Sequence, residues 1–378
     1  MLFRKLAKRS AALLLSVFMI LLPISYCTAA TLGPASSFSE LLSLLESAHT
    51  SDVILIGGAL DARGEQPLSS TSHIRITAEP DIPASIRGLS IRNADVTFSN
   101  LSLEGSLSIS GTSNVHLTRG TNVSGADGAS GISFHGNGTL ILEPGCIVTG
   151  GTDGAGITIE HRNGDFFASL EGSIVGGSGT VGGTGVAVSP LGSAGAVMIS
   201  GSVSGGKGVA LGGHALTLYE LSGNAYVTVD GDLHGGSGAI GGDGIQLVSA
   251  GDNVIVGITG SVKGGLGESY GGDALILMNA ADSSSFHLSG SFSGGDASGD
   301  GAQPGTSLTL VGHASSLRTY IGDCLLEDGR NLAGLPDPNV TPLPGILSSI
   351  DDVEQFEEAP SSDSTAVPGP TLPPAKSI

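Results

Sequence analysis

The sequence predicts an all-β fold, a solenoid of stacked parallel strands, on three observations. The first is a repeat of about thirty residues marked Gly-polar-apolar-x-Gly-Gly. It runs Gly172 to Gly177, Gly201 to Gly206, Gly231 to Gly236, Gly260 to Gly265 and Gly290 to Gly295, with first glycines 29, 30, 29 and 30 residues apart. Gly145 to Gly151 adds an earlier copy. Such a period means units that each leave an apolar face uncovered until neighbours stack on them. The second observation is a run of apolar-polar-apolar triplets, the period-two signature of strands with one buried face. The third is glycine, 62 of 378 residues, more than twice the ordinary share of about 7%. It falls in step with the repeat, so it belongs to corners and not to a flexible linker.

Taken in order, residues 1–30 read as a signal peptide. Arg4, Lys5, Lys8 and Arg9 precede an apolar stretch from Ala11 to Ile24, and Cys27-Thr28-Ala29-Ala30 supplies small residues for cleavage. The apolar stretch is short for a membrane span and holds Pro23. The expected mature chain is therefore secreted or displayed at the cell surface, with no membrane span after cleavage. Residues 31–332 are the expected solenoid domain. A helix over 37–49 opens it, with Ser37 and Glu40 as a capping box and Phe38, Leu41, Leu42 and Leu45 on one face. Its expected role is to cover the bare core and open edges of the first coil.

Short coils are expected over 53–125, with Ile74-Arg75-Ile76, Val96-Thr97-Phe98, Leu107-Ser108-Ile109 and Val115-His116-Leu117 among their strands. Glycine-rich coils of about thirty residues follow over 126–330. Val203, Leu233, Val262 and Phe292 hold one place in successive copies and are expected to stack inward as a ladder. In all, about ten coils are expected. Residues 333–378 carry nine prolines and an acidic cluster at Asp351, Asp352, Glu354, Glu357 and Glu358, which reads as a disordered tail.

Charge narrows the partners. Residues 31–378 hold all 35 Asp and Glu and 11 of the 15 Lys and Arg, or 11 − 35 = −24. No basic cluster follows residue 30, so nucleic acid is excluded as a partner. Cys146 and Cys324 stand about six repeat units apart, tens of ångströms at roughly 4.8 Å per coil. That distance is too far for a disulfide, so two free thiols are expected, Cys324 buried and inert.

The opening helix, the glycine-ended first strand and the segment from Val96 to Gly105 resemble the start of a right-handed parallel β-helix of the pectin-lyase-like superfamily of exported bacterial proteins. The resemblance covers about residues 36–330. It implies that architecture and handedness, and a superfamily that contains lyases, glycosidases, adhesins and surface proteins.

The lyase chemistry of that superfamily implies a basic residue beside calcium-holding aspartates. Between residues 120 and 310 only Arg162, Lys207 and Lys263 are basic, and the repeat puts Lys207 and Lys263 in different coils. A glycosidase needs two or three nearby carboxylates. Asp243 and Asp273 each follow a Gly-Gly pair in adjacent copies, so they are expected about one strand spacing apart. They are the candidate calcium ligands, weighed against an ordinary turn role, since Thr184 and His214 fill the same place earlier. Tyr219 and Tyr226 flank the loop 220–225 and are the candidate ligand platform, weighed against edge packing. The histidines show no ligand spacing, and His214 and His234 read as solvated turn residues. No catalytic residue and no cofactor is assigned. The expected function is an exported, non-catalytic, adhesin-like binding or scaffold module for a polysaccharide or cell-surface ligand. The alternative is a carbohydrate-active lyase or glycosidase.

Overall fold

The structure, a computed structural model, describes residues 29–281, 283–311, 318–321 and 325–326. Residues 1–28 of the expected signal peptide, Cys324 and the proline-rich segment lie outside the described residues. The chain is a parallel β-solenoid with an 18-stranded, an 11-stranded and a 4-stranded sheet. The 11-stranded sheet takes one short strand from each coil, so there are eleven levels where about ten are expected.

Its inward side chains form the expected ladder. Val203, Leu233, Val262 and Phe292 are register partners in turn and all are buried. The column extends back through Leu60, Ile86, Leu103, Val123, Val148 and Ile174. It holds because strand pairing in register puts equivalent side chains directly above one another.

The 18-stranded sheet changes character along the stack. In early coils it takes one long strand per coil, such as Leu107–Leu117 and Ile132–Leu142. Ile132–Leu142 then pairs with two strands at once, Ile157–His161 and Phe166–Leu170. The break is prepared by Gly136 and Gly138, both at positive φ, and completed by Arg162-Asn163-Gly164-Asp165. At the split Phe134 packs on Phe166, ring centroids 4.9 Å apart. The buried His161 stacks on Phe166, its Nδ1 3.1 Å from the carbonyl of Gly136.

The helix is Phe38–Ser47, two residues shorter than expected at its C-terminal end. Ser37 accepts from the Glu40 amide, but the Glu40 carboxylate turns to the backbone and hydroxyl of Ser36 in place of the cap residue itself. Phe38, Leu41 and Leu45 are buried against the first coil. One strand escaped the sequence reading: Thr31–Ala35 pairs with Val53–Ile56 and supplies a further layer beside the helix. The helix is too short to cross a membrane, and no helix among the described residues is long and apolar enough to do so.

Two buried groups give testable consequences. Cys146 is a free, buried thiol whose Sγ lies 3.0 Å from the carbonyls of Leu117 and Thr118. Burial pushes its pKa up to about 11, so little thiolate exists at neutral pH. Peptide mapping after alkylation of the native protein is expected to find Cys146 unmodified, and modified only after denaturation.

His287 stands on the outward side of Ser285–Leu288, yet it is buried and its pKa falls to about 4 for that reason. The unfolded chain takes up a proton near pH 6.5. Stability from a neutral His287 is therefore complete above pH 6.5 and is lost as pH falls towards 4, by about 3 kcal/mol. Urea unfolding at pH 7 and pH 4 is expected to show a smaller acid loss for His287→Asn than for wild type; equal losses contradict the assignment.

Candidate functional site

Each late coil carries a glycine-walled projection. Two Gly-Gly pairs face each other at its base, for example Gly205-Gly206 and Gly212-Gly213. They are joined by a backbone hydrogen bond from the Gly213 amide to the Gly206 carbonyl at 2.9 Å, and the next coil repeats it between Gly242 and Gly236 at 2.8 Å. Neighbouring coils are tied as well, the Gly236 amide donating to the Gly213 carbonyl at 2.7 Å. The base is too narrow for side chains. A methyl group on Gly205, Gly235 or Gly264 would lie closer than 3.0 Å to the backbone carbonyl across it. The residues beyond this neck are thereby held outside the core.

Those residues form the 4-stranded sheet, Gly179–Val181, Gly208–Leu211, Gly238–Ile240 and Gly267–Tyr270. Both edges of this flap are occupied. At the first, the Asp153 carboxylate accepts from the Val181 amide at 3.0 Å, where a preceding strand would pair. At the last, residues 296–305 bond back to Gly267, Glu268 and Ser269. One row of its exposed side chains is apolar, with Val181, Leu211, Ile240 and Tyr270 aligned across the four strands. With Val209 (79% exposed) and Leu266, these make six of the nine exposed large hydrophobic residues found among the described residues. Exposed apolar side chains are thus concentrated on and beside this sheet.

Alongside runs an open groove of about 510 Å3, within the size range of ligand sites. Val209 and Leu266 supply its apolar lining, Ser178, Ser237 and Ser298 its hydroxyls, and Lys207 and Glu268 one charge of each sign. The lining comes from five successive coils, so the groove runs along the solenoid axis for about 19 Å, four spacings of roughly 4.8 Å.

Sequence reading placed its candidates elsewhere. Asp243 and Asp273 do stack in adjacent coils, in a column with Thr184, His214 and Thr306. Asp243 accepts from the Asp273 amide at 2.9 Å. Asp273 accepts from the Thr306 amide at 2.7 Å and from the Thr309 hydroxyl at 2.6 Å. The second Asp243 oxygen lies 3.1 Å from Nδ1 of His214. Three of the four carboxylate oxygens thus accept hydrogen bonds from the next coil, while the fourth faces a His214 nitrogen that already accepts from the Asp243 amide, and the column clips each coil to the next. No group of three or more His, Cys, Asp or Glu placed to hold a metal occurs among the described residues. Asp273→Ala is expected to strand the Thr306 amide and to lower stability by about 1–3 kcal/mol, read as a shift in the urea midpoint. Tyr219 is exposed at the end of Leu216–Leu218, while Tyr226 is half-buried within Tyr226–Val229, between Ala196 and Ile255 in register.

His234 is exposed, as expected. His214 is partly exposed in its turn and also accepts from the Asp243 amide at 3.0 Å. His73 faces Asp95, His116 faces Glu143 at 2.9 Å and His135 faces Glu160 at 3.1 Å, each carboxylate one coil further on. The signal was a histidine and an acid separated by one coil length, visible only once the register is fixed.

No family model matches the sequence, and no curated protein matches it either. Among solved structures the chain is similar to the catalytic domain of a GH87 alpha-1,3-glucanase (a D1069A variant in complex with tetrasaccharides), at 11% identity and a TM-score of 0.23. The match covers 79% of this chain and 65% of that one.

Proposed function

We propose that the chain is an exported, non-catalytic β-solenoid serving as an extracellular or cell-surface binding module, with the flap and its groove as the contact surface. The observation that carries this reading is the alignment of exposed apolar side chains over four coils, on a sheet whose glycine neck excludes it from the core. Folding leaves that apolar surface in water, and binding is what would cover it. The basic start and apolar stretch of residues 1–24 support export.

The second reading is a polysaccharide lyase or glycosidase, favoured by the stacked carboxylates of Asp243 and Asp273. Against it, three of these four oxygens already accept hydrogen bonds within the turn column. The same pair is the place where calcium would bind if the protein takes it. Release of reducing or unsaturated ends from a polysaccharide panel tests the choice, with calcium titration of wild type and Asp243→Ala. No release is expected; turnover that Asp243→Ala abolishes would overturn the binding-module reading.

A further inference from the structure

We infer that the groove beside the flap takes a linear, uncharged polysaccharide, laid along the solenoid axis across the five coils from Ser178 to Ser298. This rests on the binding-module reading and names its ligand class.

Shape comes first. The groove is open, and its lining repeats from coil to coil, with Ser178, Lys207, Ser237 and Leu266 each just after a Gly-Gly pair. A periodic trough suits an extended polymer better than a compact small molecule. At the Asp153 side the Val181 amide is already taken by a carboxylate, and at the other edge residues 296–305 bond back to the last strand. An added peptide strand therefore has no edge to extend.

Size and charge decide against a second copy. Four strands of three or four residues span a flat footprint of roughly 200 Å2, a small platform for a stable protein interface, which buries roughly 800 Å2 of accessible surface per partner. Two chains of net charge −20 would also repel on approach. Within the groove Lys207 and Glu268 balance each other, so neither a polyanion nor a polycation finds a charged track.

Chemistry then selects the ligand. Val209 and Leu266 present apolar surface beside the hydroxyls of Ser178, Ser237 and Ser298. A sugar ring has a matching division, apolar C–H faces with hydroxyls at the rim.

Calorimetric titration of the full chain with a soluble mixed-linkage β-glucan, a β-mannan and an amylose, with polygalacturonate as the charged control, tests the assignment. At least one neutral polymer is expected to bind, and Val209→Asp with Leu266→Asp to weaken it at least tenfold at unchanged melting temperature. Ser237→Val, which keeps the fold and removes a rim hydroxyl, is expected to weaken it severalfold. The inference is overturned by no neutral polymer binding, by polygalacturonate binding as tightly, or by sedimentation showing a dimer that the double variant dissociates. None of these outcomes involves turnover, so they are distinct from the failure of the non-catalytic reading.

Discussion

Leu233→Asp is expected to unfold most of the chain's cooperative structure at temperatures the wild type survives. Leu233 is fully buried within the inward ladder, between Val203 and Val262. Nothing among the described ladder residues offers a hydrogen bond or a positive charge to a carboxylate there. The substitution removes about 2 kcal/mol of apolar burial and places a charge where it must desolvate or protonate. A loss of about 4–5 kcal/mol is expected, at the extreme of single-residue effects. Neighbouring coils share the damage, because each coil is stabilised only by those above and below it. Thermal unfolding followed by circular dichroism reads this directly, and a melting point within two degrees of wild type would contradict the register. Val209→Asp is the matched control: it also places a charge on an apolar position, but an exposed one, and is expected within about 0.5 kcal/mol.

Gly235→Ala is the second large effect. Adding a methyl group to a glycine ordinarily stabilises by about 0.4–1 kcal/mol through the unfolded chain, where the backbone tolerates it. Here the methyl would sit closer than 3.0 Å to the Gly242 carbonyl across the neck and to the Gly265 amide of the next coil. Both are backbone atoms held in the inter-coil ladder, and the Gly265 amide already donates to Gly242 at 2.7 Å. Neither can move without breaking that ladder, so steric cost wins over chain entropy and a net loss of about 3 kcal/mol is expected. Amide exchange should show the loss concentrated in the flap and its neck. Unchanged protection there, or a raised melting point, would show the neck to be wider than described.

These two residues also divide what the sequence carried from what it did not. The period of 29 and 30 residues and the apolar-polar alternation were sufficient for a parallel solenoid and for the ladder through Leu233, because in-register stacking converts sequence period into spatial neighbours one for one. The N-terminal helix was legible from Ser37, Glu40 and its apolar face, since capping and helical periodicity are local. The glycine pairs were visible as corners. Their second consequence was not, because a neck is made by two segments about six residues apart closing on each other.

The candidate site follows the same division. Val181, Leu211, Ile240 and Tyr270 each stand directly before a Gly-Gly pair, so their alignment is legible, but nothing along the chain marks them as exposed. Only the pinched neck decides that they lie outside the core and are exposed. Asp243 and Asp273 were correctly paired by the repeat, but their hydrogen bonds to Asp273, Thr306 and Thr309 depend on how the turn folds back. The histidine–carboxylate pairs required the register between coils. Sequence by itself determined the architecture and the inward face, where hydrophobic burial and strand period dominate. Tertiary structure alone decided the outward surface, where exposure depends on which backbones approach closely enough to exclude side chains.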